Sequence, residues 1–281
     1  MNQLIRKNPN LDAFGIVQDD LERAKTYAFE RILKTKYEEL EKGARYNLQL
    51  KGKNFRSAIL YLLSKALSAN TNSYTQIDEQ VTCLAACIEI CHNSSLLQDD
   101  IVDNADSRRN EIAAHKVFGV SSTVYASNFM IARASRMLTE VFPNSDMSQI
   151  FSTVLYNLVF GELIQARRDM DSGREISGDG FDTQGYFESY VSKTYFKTAS
   201  MLSLACRGVG LILDLDHEAQ KRLFDFGAHL GIAFQVHDDI LDFTQSGETL
   251  GKPAFNDLKE VSFAFINCVG NRDCADHIRH A

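Results

Sequence analysis

The chain has 281 residues, 44% apolar and 24% charged, with a formal net charge of −7. These proportions exclude disordered and collagen-like chains, and the acidic balance argues against a general nucleic-acid binder. The three prolines, Pro9, Pro143 and Pro253, are few for the turns of a β-sandwich or barrel, so composition points to an all-α fold.

Residues 11–43 carry apolar side chains at three- and four-residue spacing (Phe14, Val17, Leu21, Ala24, Ala28, Ile32), which predicts a helix. A second helix is predicted from about Asn54 to Ala69, then a polar loop over 70–76, then a long helix from about Asp78 to Asp103. Another starts near Ser121 or Ser122 and stops before Pro143. Ser145 or Asp146 caps the next, which runs to about Asp171. Glycines and aspartates over 172–185 read as a surface loop. Helix is expected again over 184–213 and, behind an Asp216 cap, over 216–243. No useful period-2 strand pattern and no linker are present, so one domain is expected. The six cysteines form no CxxC pair, which fits free thiols in a reducing compartment. Cys83, Cys87 and Cys91, spaced i, i+4, i+8, read as small core residues. The sequence shows no secretory h-region and no apolar run of the ~18 residues a membrane span needs. A soluble intracellular protein, cytoplasmic or mitochondrial, with at most peripheral membrane contact is expected.

One element occurs twice: Asp99-Asp100-Ile101-Val102-Asp103 and Asp238-Asp239-Ile240-Leu241-Asp242. Each ends an apolar helix. Positions i and i+4 share a helix face, so Asp99 and Asp103 point the same way, as do Asp238 and Asp242. Like charges at that spacing oppose helix formation, and the negative end of the helix dipole adds to the cost. A bound cation explains tolerating this twice, and all-oxygen ligands favour Mg²⁺ or Mn²⁺ over zinc. Basic residues accompany the acids: Lys53 and Arg56 at the start of the second helix, Arg108 and Arg109 after the first cluster, Lys197 mid-helix, and Lys252 after the second cluster. Taken singly, each is an ordinary surface charge; beside Mg²⁺, together they suit diphosphate groups.

These pieces resemble the trans-isoprenyl (polyprenyl) diphosphate synthases, in particular the long-chain type that makes solanesyl or decaprenyl diphosphate. The matching residues are Gly52-Lys53-x-x-Arg56; His92-x-Ser94-Ser95-Leu96-x-x-Asp99-Asp100-x-x-Asp103 with Arg108-Arg109; Gly161-Glu162-x-x-Gln165; Lys197-Thr198-Ala199; Gly231-x-x-Phe234-Gln235-x-x-Asp238-Asp239-x-x-Asp242; and Gly251-Lys252-Pro253. They stand in the family's order from about residue 50 to 260. The resemblance implies an all-α bundle of the isoprenoid synthase type with a central cavity, and a homodimer or a heteromer with a related subunit. It implies Mg²⁺ at Asp99, Asp103 and Asp238, with Asp100, Asp239 and Asp242 in support. It places Arg108, Lys197, Thr198, Gln235 and Lys252 on an allylic diphosphate primer, and Lys53, Arg56, His92 and Arg109 on isopentenyl diphosphate. The implied reaction lengthens the primer to a long trans-polyprenyl diphosphate of the kind used as a quinone side chain.

Some residues depart from the family pattern. Ser57 stands where proline is frequent, Gln98 where histidine is common, and Asn110 where glycine usually follows the arginine pair. The resemblance also stops at Glu260, where the family continues through several more helices. Residues 1–260 are therefore expected to form the synthase domain, with 261–281 a divergent tail and the C-terminal helices missing. Two other classes compete. A non-catalytic partner subunit typically loses aspartates from the clusters, and this chain keeps all six. A class I terpene cyclase would carry an Asn/Ser/Glu second metal motif and would not need Lys53, Arg56 and Arg109. Ser94 and Ser95, small where short-chain synthases place an aromatic blocker, predict a tunnel open to a long product.

Overall fold

The computed structural model describes residues 12–50, 52, 54–68, 74–143, 145–172 and 183–244. Lys53, Lys252, the Gly251-Lys252-Pro253 segment, the tail from 261 and most of the proposed 172–185 loop lie outside the described residues. The chain divides into two compact units, one of residues 1–155 with 202–227, the other of 156–201 with 228–281.

In the first unit, α1 (Gln18–Tyr27), α2 (Glu38–Gln49), α3 (Phe55–Leu67) and α6 (Val120–Val141) pack against the long α4 (Tyr74–Val102). Residues 81–88 of α4 are all buried, so this helix is enclosed on every side rather than amphipathic. Leu84, Ile88 and Leu97 of α4 share the core with Tyr61, Met130 and Leu138, each within 1% of complete burial. Burial of such a side chain contributes roughly 1.5–3 kcal/mol. Cys83, Cys87, Cys91 and Cys206 are buried free thiols. Burial pushes the Cys91 and Cys206 thiols up to about 12.

The helix expected over 11–43 is two helices. After Tyr27 the chain widens, and the Leu33 N–H reaches five residues back to the Ala28 carbonyl. Helix α2 then starts afresh with Glu38, Glu39 and Glu41 in its first turn, where carboxylates suit the dipole. Glu41 also accepts a hydrogen bond from the Thr35 N–H at 2.9 Å, which ties down the break.

Helix α4 ends in a Schellman cap: Asn104, with φ 48°, donates to the Ile101 carbonyl and Ala105 to that of Asp100. Beyond it lies a feature the sequence did not announce. Residues Ser107–Arg108 (β1) and Glu111–Ile112 (β2) pair antiparallel in the register Ser107–Ile112 and Arg108–Glu111. The two residues between them, Arg109 (φ 52°) and Asn110 (φ 66°), are both left-handed, as a two-residue type I′ turn demands. A short helix α5 (Ala114–Phe118) follows.

Helix α7 runs from Met147 to Ser172, α8 from Thr183 to Thr194, α9 from Ser200 to Ile212 and α10 from His217 to Thr244. The expected caps are present: Ser145 Oγ accepts from the Met147 N–H at 3.0 Å, and Asp216 Oδ1 from the Ala219 N–H at 2.7 Å. Between α8 and α9 the second unit has a wide helical turn, Tyr195–Ala199, closed by the Ser200 N–H on the Tyr195 carbonyl. Such one-turn bulges recur at functional sites. Two glycines let neighbouring helices reach it. A Cβ on Gly161 would lie 2.9 Å from the Lys197 nitrogen, and one on Gly231 would lie 2.5 Å from the Ala199 Cα.

The expectation that no segment is long and apolar enough to span a membrane needs correction. Residues 147–165 meet that test by length and composition, because the interruptions are uncharged polar residues apart from Glu162. Met147, Ile150, Phe151, Val154 and Leu158 of this segment are core residues.

Candidate active site

The first aspartate cluster closes α4. Asp99 is half-buried and Asp103 exposed. Asp100 points the other way, with a side chain only 1% exposed. Its Oδ1 accepts from Arg108 Nε at 2.9 Å and also from Nη2, a fork only arginine offers. Its Oδ2 is buried without a protein donor. The hairpin explains why Arg108 reaches back: Arg108 lies in β1 and Arg109 in the turn, so the two neighbouring guanidiniums have different surroundings. That of Arg109 lies over Gly52, where a Cβ would meet Nη1 at 2.9 Å.

His92 stands two turns before Asp99 on α4. Its pKa is held well below the usual histidine value, first by loss of hydration and then by the positive charges of Arg56, Arg109 and Arg108. Burial likewise lowers the pKa values of Arg56 and Arg109, against the opposing pull of Glu89. The structure therefore brings Arg56, Arg108 and Arg109, all singled out in the sequence, near His92, and sets an unforeseen carboxylate, Glu89, against Arg56 and Arg109. Glu89 lies one turn before His92, and nothing in its local pattern marked it.

The second cluster repeats the division of labour within the second unit. Asp238 is half-exposed, whereas Asp239 is only 6% exposed. The Asp239 carboxylate accepts from Tyr190 OH at 2.5 Å and from Gln235 Nε2 at 2.9 Å. Burial, and then the hydrogen bond to Asp239, raise the Tyr190 hydroxyl pKa far above the usual tyrosine value. Tyr190 was not foreseen either, because only the fold puts α8 beside α10. Asp242 continues the helix.

The wide turn carries Lys197 and Thr198, both singled out in the sequence. Lys197 Nζ donates to Gln165 Oε1 at 2.6 Å and pairs with Glu162 Oε1 at 3.1 Å. The next residue, Thr198, donates through Oγ1 to Gln235 Oε1 at 2.9 Å. Gln235 thus bridges Thr198 and Asp239. Glu162 and Gln165 are i, i+3 on α7 and share a face, so the spacing Gly161-Glu162-x-x-Gln165 reads as a lysine holder entered through a glycine contact.

Among the described residues no three His, Cys, Asp or Glu side chains converge as a closed metal cage. Mg²⁺ does not require one. It is commonly bound by one or two carboxylates, with waters and substrate phosphates completing the octahedron. Asp99 and Asp103, one turn apart at the end of α4, offer carboxylate oxygens suited to that manner of binding.

Comparison with known proteins gives the family and the fold. The polyprenyl synthetase family pattern matches residues 37–279. The chain is 33% identical to solanesyl diphosphate synthase 2, chloroplastic, of Arabidopsis thaliana, covering 92% of this chain and 59% of that one. It is 31% identical to decaprenyl-diphosphate synthase subunit 1 of Schizosaccharomyces pombe, over 89% of this chain and 69% of that protein. The fold matches a polyprenyl synthase from Caulobacter crescentus CB15, crystallised with calcium and isoprenyl diphosphate. The TM-score is 0.74 at 25% identity, covering 88% of this chain and 69% of that one. The fold is therefore all-α and of the isoprenoid synthase type, as the sequence predicted.

Proposed function

Because the chain belongs to the polyprenyl synthetase family, we propose that it is a Mg²⁺-dependent prenyltransferase. It joins isopentenyl diphosphate to an allylic diphosphate and repeats the step to a long trans-polyprenyl diphosphate, of the kind used as a quinone side chain. The observation that carries this reading is the repeated division within the aspartate clusters. In each, the second carboxylate is buried and hydrogen-bonded, and the first stands nearer solvent. The relatives' names, solanesyl and decaprenyl synthase, favour a long product.

Asp99, Asp103 and Asp238, with Asp242, would hold the divalent ions, which neutralise charge on the departing diphosphate. Asp100 and Asp239 act through others: Asp100 aims Arg108, and Asp239 fixes Gln235 and through it Thr198. Lys197, Thr198, Gln235, Arg108 and Lys252 would hold the allylic diphosphate. Lys53, Arg56, His92 and Arg109 would hold isopentenyl diphosphate. Its double bond attacks the allylic carbon as the C–O bond to the leaving diphosphate breaks. A proton then passes from the condensed product to the departed diphosphate. All six aspartates are present, which disfavours a non-catalytic partner subunit.

The purified chain, given Mg²⁺, labelled isopentenyl diphosphate and an allylic primer, should yield products well beyond three or four isoprene units. Absence of any condensation would overturn the assignment. Ser95→Phe is the variant to size, since Ser95 is partly exposed and shares a face with Asp99. It should shorten the product sharply. Ser94 does not serve, contrary to expectation: it is fully buried, with its Oγ 2.8 Å from Ser127 Oγ on α6, so a phenylalanine there would wedge two helices apart. Tyr156, Val159, Phe160 and Leu163 form an exposed apolar stripe on α7 that suits a second copy or a related subunit. Specific activity should accordingly fall when the enzyme is diluted.

His92 supplies a pH signature. With its pKa depressed, the folded protein binds a proton here less readily than the unfolded chain, whose histidine titrates at about 6.5. Folding stability from this group therefore falls as pH drops through about 6.5. Diphosphate beside the three arginines should raise the pKa again. Calorimetry at pH 6 in buffers of different ionisation enthalpy should show proton uptake on binding isopentenyl diphosphate. His92→Gln should abolish it, and uptake unchanged in that variant would place the proton elsewhere.

A further inference from the structure

Helix α3 begins without a cap of its own. Asn54, the residue before it, is left-handed (φ 47°), and its side chain caps nothing. The N–H groups of the first turn have no partner within the helix, and buried ones must find one elsewhere. Ser57, third in the helix and 1% exposed, finds it on α4: its N–H donates to Glu89 Oε1 at 3.3 Å and its Oγ to the same oxygen at 3.0 Å. A carboxylate at a helix N-terminus also gains from the dipole. Glu89 thus caps α3 from another helix. A proline at position 57 would offer neither hydrogen.

This contact lies beside Arg56 and Arg109. Arg56 precedes Ser57. Gly52, just before α3, lies under the Arg109 guanidinium. Glu89 is one turn from His92, and its backbone carbonyl accepts from Asn93 Nδ2 at 2.8 Å. The Glu89 charge acts favourably on both Arg56 and Arg109.

We propose that Glu89 is a positioning residue for isopentenyl diphosphate: by capping the first turn of α3 through Ser57, it fixes where Arg56 stands relative to Arg109 and His92. This rests on the functional reading above, and it adds a residue that touches no substrate. The groups it places hold one substrate and not the other, so its loss should be selective.

The test compares Glu89→Ala, Glu89→Gln and Ser57→Ala by steady-state kinetics and by calorimetric binding of isopentenyl diphosphate. Glu89→Ala should raise KM and Kd for isopentenyl diphosphate at least tenfold, with the KM for the allylic primer within about twofold of wild type. Glu89→Gln, which keeps an acceptor for Ser57, should recover much of the loss. Ser57→Ala, which keeps the N–H, should cost two- to threefold. Equal rises in both KM values, a change in kcat alone, or a drop in melting temperature with unchanged KM would each overturn the proposal. A wild type that binds no isopentenyl diphosphate would sink the functional reading and this inference with it. A wild type that binds it, beside an unaltered Glu89→Ala, would sink the inference alone.

Discussion

Asp99→Ala and Asp238→Ala should each lower turnover by about 10³-fold or more at limiting Mg²⁺, if each carboxylate holds an ion on the leaving diphosphate. Neither should cost much stability. Relieving an i, i+4 like-charge pair stabilises a helix by about 0.2–0.5 kcal/mol, and Asp99 also opposes the dipole at the end of α4. Asp100→Ala should behave otherwise. It removes the buried partner of Arg108, and leaving that guanidinium uncompensated should cost about 1–3 kcal/mol, limited because Arg108 is 30% exposed. Melting curves measured alongside turnover separate the two behaviours. A tenfold loss or less in Asp99→Ala would remove the metal from that cluster.

Gly231→Val should give the largest loss of stability. Even the first carbon of a side chain would stand 2.5 Å from the Ala199 Cα and 2.8 Å from its Cβ, and Cα is backbone that cannot swing aside. Helix α10 must then move off the wide turn that carries Lys197 and Thr198. Overpacking of this kind costs about 1–3 kcal/mol or more, and a branched residue belongs at the upper end. Gly210→Ala is the control: its added carbon meets the Leu223 Cδ1 at 2.9 Å, the far end of a flexible side chain, and helix propensity favours alanine by ~1 kcal/mol. Denaturant unfolding should show a clear drop for Gly231→Val and almost none for Gly210→Ala. Equal effects would mean that the approach at Gly231 is not tight.

Much of this was legible in the sequence. Ser145 and Asp216 marked helix starts because a short oxygen side chain ahead of an apolar run has one common use. Asp99, Asp103 and Asp238 stood out because helical spacing made their repulsion visible. The break after Ile32 and the wide turn at 195–199 were not legible, since one extra residue in a turn leaves the apolar spacing almost unchanged. The hairpin was hidden as well. Its strands are two residues long, and its turn reads Arg-Asn instead of Asn-Gly. Ser94 shows a different failure: its size was read correctly and its direction was not, because only the position of α6 decides which face of α4 is interior. Tyr190 and Glu89 act between helices distant in sequence, so no local pattern could reveal them.

The hairpin makes the arginine pair a question of count. Arg108 ends the strand and Arg109 opens the left-handed turn, so Arg108 meets Asp100 and Arg109 meets Gly52 only while the count from the Schellman cap at Asn104 to the turn stays as it is. One residue inserted over 105–107 would preserve every charge and every motif letter, yet move Arg108 from the strand into the turn and shift Arg109 one place further on. The carboxylate that Arg108 now balances would then face away from its partner. What must be kept between the aspartates and the arginines is therefore a length as much as a set of residues, and chains that vary freely on either side of this segment should still agree in its spacing.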